Sequence, residues 1–338
     1  MSRFGIIMTA LTVALIATVF ALLLVGSVDI PAADVVDILR GHDIGNEAWR
    51  FIVVESRIPL AVTAALSGAA LAVCGLLLQT AFNNPLADPS ILGVSTGSSL
   101  GVAIVMLLGG GALYTSLGGY FATLGGALVG ALAVMAILLF ASTLVKSSTM
   151  LLIIGVLISY LTSSAISLLN FFATQEGVHS FVIWGMGNFS AVTMRQLPMF
   201  AATIAIGLLL SLMMIKPLNA LLLGQRYAEN LGVNLRTVRN TLLLLTGLLT
   251  AIVTAFCGPI GFVGLVVPHL SRLLLGTSDH FRLIPATIIL GAVCASLCTL
   301  VSVLPSSGLI PINAITPIVG VPVIIYVILN RKKIFYFN

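Results

Sequence analysis

The chain has 338 residues, of which 59% are apolar and only 7% charged, with a formal net charge of +5. Soluble domains carry roughly a quarter charged residues, so this composition excludes a water-soluble globular fold and the broad basic surface a nucleic-acid-binding protein would present. What remains is an all-α polytopic membrane protein of about ten transmembrane helices, read as a single transmembrane domain over 1–338.

A helix crossing the hydrocarbon core needs about 20 apolar residues, and stretches of that kind recur from Ile6 to Leu329. The expected spans are 5–26, 58–80, 91–108, 117–144, 149–172, 195–215, 240–257, 260–275, 283–304 and 310–330. The first follows Arg3 and is longer than the apolar core of a secretion signal. No small-x-small cleavage pattern clearly follows, so it is read as an uncleaved helix. The 32 glycines suit helices that pack closely inside a bilayer.

Ser27 to Ser56 holds six of the ten carboxylates, Asp29, Asp34, Asp37, Asp43, Glu47 and Glu55, and belongs in water. Within it, Ala32 to Arg40 follows Pro31 and reads as a short amphipathic helix with Val35, Ile38 and Leu39 on one face. Capping the bundle is at least as good a role for it as binding.

Between spans six and seven lies Lys216 to Asn240, KPLNALLLGQRYAENLGVNLRTVRN. Pro217 is expected to stop the preceding span, Asn219 to cap a short helix, and Gly232 to end it. A turn at Gly232-Val233-Asn234 then leads into a second helix near Leu235. Connections in helical bundles usually take about two to eight residues, so the longer segment at about 216–240 reads as a docking element in preference to a plain loop.

Further along, His269 follows Pro268 within an apolar span, where an ionisable residue is a functional candidate by default. Its closeness to Arg272 favours a hydrogen-bonded structural histidine. Cys294 and Cys298 share a helix face without nearby His or carboxylate partners, and with Cys74 and Cys257 they read as buried small hydrophobes; no metal or other cofactor is expected.

Charge sets the orientation. With a cytoplasmic N-terminus, the inward side holds Arg3, Lys146, Lys216, Arg226, Arg236, Arg239, Arg272, Arg282, Arg331, Lys332 and Lys333, against Arg40, Arg50, Arg57 and Arg195 outside. Eleven against four is the asymmetry of the positive-inside rule, and it places both termini in the cytoplasm.

Three ordered stretches resemble the FecCD-type permeases, the membrane subunits of importers for iron-siderophores, haem and vitamin B12. The first is Arg57-Ile58-Pro59, then Leu66-Ser67-Gly68-Ala69-Ala70-Leu71-Ala72, Gly75, Gln79, Asn84-Pro85-Leu86-Ala87-Asp88-Pro89 and Leu92-Gly93. The second is Leu231-Gly232-Val233-Asn234, and the third runs from Gly258-Pro259-Ile260-Gly261 through Pro268-His269 to Arg272.

The resemblance implies a ten-span subunit in a bacterial inner membrane. It would work as a dimer with a second permease copy, two cytoplasmic ATPase subunits and a periplasmic or lipid-anchored substrate-binding protein. ATP would be hydrolysed in a partner, so the chain itself is not expected to be an enzyme. The sequence agrees in lacking a G-x-x-x-x-G-K-[ST] phosphate loop.

Carried over residue by residue, the resemblance assigns ATPase docking to Ala228, Glu229, Leu231, Gly232 and Asn234, and binding-protein docking to Arg57. Leu60 stands where a second arginine is usual, with Arg50 a substitute; a structural or snorkelling arginine is an equal reading of either. Cys298, Ser302 and Leu309 occupy positions that are commonly Asp, Arg and Glu, while Gly320-Val321-Pro322 keeps the expected framework.

A pathway that releases a large solute quickly needs small, mildly polar walls. Gln79, Asn83, Asn84, Ser95, Thr96, Ser98 and Ser99 are candidates, with helix joining as the equal alternative. His179 and Trp184 could touch a chelate, although an interfacial Trp is the ordinary reading. Opposite orientations of the two halves permit an inverted repeat. An ion-coupled secondary transporter is the main alternative function; it would need midplane carboxylates, and none lies well inside an expected span.

Overall fold

The computed structural model describes residues 3–42, 45–108, 117–145, 147–305 and 308–329. Asp43, Lys146, Arg331, Lys332 and Lys333, which entered the readings above, lie outside the described residues. All regular structure among the described residues is helical.

In chain order, α1 (Arg3–Leu24) leads to the amphipathic α2 (Ala32–Leu39). Then α3 (Glu47–Phe51) continues through a π-helical turn (Ile52–Arg57) into α4 (Ile58–Ala81). Next come α5 (Val94–Leu108), α6 (Leu117–Leu144), α7 (Ser148–Phe172) and α8 (Gln175–Gly185). They are followed by α9 (Leu197–Met213), α10 (Ile215–Leu222), α11 (Gln225–Asn230) and α12 (Leu235–Cys257). The chain closes with α13 (Val263–Leu275), α14 (His280–Val303) and α15 (Ile312–Leu329).

Every expected span overlaps an apolar helix. Among the described residues, 6 helical segments suffice by length and composition to cross a membrane, or 7 if α9 and α10, bent by 47°, are one span. At 15 and 13 residues, α5 and α13 are shorter than a straight crossing requires. In both cases a loop holding glycine and proline, 82–93 before α5 and 258–262 before α13, replaces the first helical turns.

α4 is the axis of the bundle. In its most apolar window 83% of the residues are buried, against 11% for α1, which lies on the outside along α14. Small residues let the neighbours close in: a Cβ on Gly68 would overlap the Gly291 carbonyl of α14, and one on Gly75 the Gly264 carbonyl of α13. Backbones that close gain van der Waals contact where the hydrophobic effect offers little between helices.

The structure departs from the expectations in four places. Pro217 does not stop a span; it lies in the first turn of α10, where a proline is tolerated, and the chain bends at Met214 instead. Asn219 caps no helix of its own segment, because α10 begins four residues before it, and its side chain reaches the α13–α14 connection. The helix expected to run up to Gly232 is broken at Gly224, φ 98°, into α10 and α11, while the helix expected near Leu235 is found as α12. On α2, Val35 and Ile38 are buried but Leu39 is 41% exposed.

Candidate functional site

At the end of the bundle where α4 finishes, α10 and α11 form a projection. Gly232 ends it at φ 83°, donating its N–H to Glu229 O at 2.9 Å, and Asn234 caps α12 by accepting from Thr237 N at 3.0 Å. Nothing lies within 4 Å of a Cβ built on Gly232, so backbone conformation is what calls for glycine. Ala228 is fully buried and seats the projection, whereas Glu229, Leu231, Gly232 and Asn234 are exposed. Leu231 at 58% and Tyr227 at 54% exposure add an apolar surface at its tip. Between the projection and the bundle is a cavity of about 390 Å³ lined by Glu229, Arg236, Arg239 and Ser142 among others.

The α4–α5 loop lies at the same end. Asn83 takes the left-handed conformation, φ 45°, and is exposed; asparagine is among the few residues that do so readily. Asn84 Oδ1 accepts from Leu86 N at 2.9 Å. Asp88 is buried and accepts from the backbone N–H and hydroxyl of Ser90. Burial pushes its carboxyl above the usual carboxylate range, and the Ser90 bonds oppose that shift.

Four hydroxyl residues, Ser90, Ser95, Thr96 and Ser99, share a cavity of about 290 Å³ with Pro259–Phe262, Asn313 and Pro317. Ser99 Oγ donates to Ser95 O at 3.0 Å, and Thr96 Oγ1 to Gly93 O at 2.9 Å. The structure therefore brings Ser95, Thr96 and Ser99 to one cavity. Ser98 and Gln79 are fully buried elsewhere. Gln79 Nε2 donates to Leu265 O at 3.2 Å and its Oε1 accepts from Arg272 Nη1 at 2.7 Å, joining α4 to α13.

At the opposite end, Arg57 is 4% exposed. Its guanidinium donates to Leu23 O at 2.8 Å and Leu24 O at 2.9 Å, carbonyls that the end of α1 leaves open, and to Val28 O at 2.5 Å in the connection to α2. Arg50 is exposed on α3. Leu60, Ser302 and Leu309, three positions where the resemblance led one to expect charge, line one cavity of about 300 Å³ with Asn188 and Thr299.

A profile of the FecCD transport family matches residues 13–330. The chain belongs to the FecCD transport family. Among the family's characterised proteins, the vitamin B12 import system permease protein BtuC of Citrobacter koseri is 35% identical over 282 residues, 83% of this chain and 84% of that protein. The same protein of Salmonella typhi is 36% identical over the same shares. A solved structure of an ABC transporter described as metal-chelate type, in an inward-facing conformation, superposes with a TM-score of 0.81 at 32% identity, covering 97% of this chain and 99% of that one.

Within this FecCD chain, further side chains join elements: His269 is hydrogen-bonded as its place beside Arg272 led one to expect, whereas Asn313 was not anticipated from the sequence. His269 Nε2 lies 2.8 Å from Pro85 O, fixing α13 to the α4–α5 loop. Asn313 donates to Gly185 O at 3.1 Å and to Pro259 O at 2.5 Å, and accepts from Gly261 N at 3.3 Å, so α8, α15 and the α12–α13 loop meet there. α8 itself was expected only as an outward segment; Thr174, which accepts from Gly177 N at 3.2 Å, was its available start signal. Trp184 stacks on Phe181 with ring centroids 6.1 Å apart.

Proposed function

We propose that this FecCD-family chain is the membrane-spanning permease subunit of an ATP-binding-cassette importer that moves a metal chelate into the cytoplasm of a bacterium. Its apolar helices make ten spans in the inner membrane, with both termini cytoplasmic, and two copies flank the path. The whole of 1–338 is one permease domain, with its ATPase-docking segment at about 216–240. The names of the relatives make cobalamin the first chelate to test, ahead of ferric siderophores and haem.

The observation that carries the reading is the projection at Ile215–Asn230. It is a helical knob with an exposed apolar tip, standing outside the apolar bundle of a chain that holds no phosphate-binding loop. Such a surface suits a partner that supplies the energy, and a rigid knob can pass nucleotide-driven closure to the helices behind it. Docking falls to Glu229, Leu231, Gly232 and Asn234, with Ala228 seating the knob. At the opposite end Arg50 is free to meet carboxylates of a substrate-binding protein, while Arg57 is occupied with α1. The pathway is assigned to Ser95, Thr96 and Ser99, with Asn83 and Asn84 at its inner end.

The test is purification from native membranes followed by identification of bound subunits and reconstitution into vesicles. The reading expects a co-purifying ATPase whose activity rises with the loaded binding protein, assayed with cobalamin, a ferric siderophore and haem in turn. Uptake that persists without ATP hydrolysis sinks it in favour of the ion-coupled alternative.

A further inference from the structure

One polar chain crosses from the projection into the bundle. Asp279 Oδ1 accepts from Phe281 N at 3.0 Å, which caps α14, and also from Asn219 Nδ2 at 2.7 Å. That contact orients the Asn219 amide, so its Oδ1 faces the start of α14 and accepts from His280 N at 2.8 Å. The same oxygen lies 2.9 Å from His280 Nδ1. An amide oxygen only accepts, so the ring carries its proton on Nδ1 and Nε2 is left to accept from the Thr80 hydroxyl at 2.9 Å, whose single proton is then turned away from its other acceptor, Leu76 O at 3.1 Å.

These four residues come from three elements. Asn219 is on α10, Asp279 and His280 open α14, and Thr80 lies in the last turn of α4. A cap for α14 needs Asp279 alone; Asn219 adds a tie to an element 60 residues away in sequence. His280 is fully buried and Thr80 nearly so, and a satisfied polar chain in a dry interior is costly to part. On the other side of this chain, α10 meets α9 at a 47° bend, five residues before Asn219. The projection is thus hinged at Met214 and tied at Asn219.

Beyond Thr80 the tie reaches the candidate pathway. Asn83 N–H donates to Thr80 O at 3.2 Å and Asn84 N–H to Gln79 O at 3.0 Å, so the α4–α5 loop hangs from this last turn of α4.

We propose that Asn219, His280 and Thr80 are positioning residues that pass displacement of the ATPase-docking projection to the end of α4 and the loop at its mouth. The inference rests on the permease reading above and adds the route by which the motor's movement reaches the path. A shared two-state element, biased from the projection and read at the loop, is the physical requirement.

The test uses the full complex in vesicles, with spin-label pairs between the two permease copies at Leu223→Cys on the projection, outside the residues assigned to docking, and Leu86→Cys on the α4–α5 loop. Both positions are exposed in this chain. Distances are measured without nucleotide and with vanadate-trapped ATP, in the wild-type background, Asn219→Ala and Thr80→Val. The valine replacement keeps the shape and puts a methyl in place of the hydroxyl. In the wild type both pairs shift; in the two variants the Leu223 pair still shifts and the Leu86 pair does not, while His280→Gln, which can both donate and accept, keeps much of the loop's response. A Leu86 pair that shifts fully in Asn219→Ala and Thr80→Val overturns the relay. A wild-type chain that recruits no ATPase overturns the function itself, and is seen before any variant is compared.

Discussion

Arg272 Nη1 on α13 donates to Gln79 Oε1 on α4 across 2.7 Å, with both residues buried. Because the Gln79 amide also donates to Leu265 O, its two ends clasp one helix to the other. Gln79→Ala removes a neutral acceptor from a buried cation, and bonds to charged groups contribute about 1.5–3 kcal/mol. The variant is expected to unfold at a lower temperature in detergent, while Gln79→Glu, which keeps an acceptor, loses less. Equal melting temperatures for wild type and Gln79→Ala would show that the clasp contributes nothing.

Close approach of α4 and α13 gives a second expectation. A Cβ at Gly75 would overlap the carbonyl of Gly264, which is backbone and cannot rotate away. Overpacking of this kind costs about 1–3 kcal/mol, so Gly75→Ala is expected to lower the yield of folded protein and its melting temperature. Gly41→Ala is the contrasting case in the loop after α2. Its Cβ would meet nothing within 4 Å, and only its φ of 80° opposes the change.

Arg57 and Arg50 should separate stability from docking. Arg57→Ala strips two backbone carbonyls at the end of α1, and that of Val28 in the connection after it, of their donor and is expected to loosen α1, read as faster proteolysis between Leu24 and Ile30. Arg50→Glu leaves those bonds intact and is expected to weaken association with the binding protein without moving the melting temperature. Reversal of the two phenotypes would transfer the docking role to Arg57.

Much of this arrangement was legible in the sequence because the bilayer imposes long apolar runs, and ten such runs each met a helix. The glycine turn at Gly232 and the helix start near Leu235 were legible for a similar reason, since local backbone chemistry fixes both. α8 was missed because Gln175–Gly185 mixes polar and apolar residues over only 11 positions and resembles a surface loop. Asn219 looked like a local cap, but its partners Asp279 and His280 lie 60 and 61 residues away, a pairing that only the packed fold creates. For Arg57 the sequence left docking and a structural role equal, because nothing local shows that the π-helical turn places it under α1.

The projection can be tested through its backbone. At φ 83°, Gly232 has open space around it, so a side chain there meets strain and no clash. Left-handed conformation costs an L-residue about 1–2 kcal/mol, and Gly232→Val is expected to distort the turn and weaken ATPase association about tenfold, the ratio that 1.4 kcal/mol represents. Titration of the purified ATPase against permease in nanodiscs reads this directly. Unchanged affinity would mean that the turn forms no part of the docking surface.

The cavity shared by Ser95, Thr96 and Ser99 supplies the last expectation. Its volume of about 290 Å³ is bounded on the far side by Phe262 and Pro317, so one large side chain on α5 would occupy much of it. Ser99→Phe is expected to abolish uptake while leaving ATPase association intact, because α5 lies away from the projection's exposed face. Ser99→Ala keeps the space and loses only a hydroxyl that already bonds to Ser95 O, so uptake should stay near that of the wild type. The contrast separates steric passage from helix joining: a cavity that serves only packing would make Ser99→Phe unstable, with association and uptake falling together.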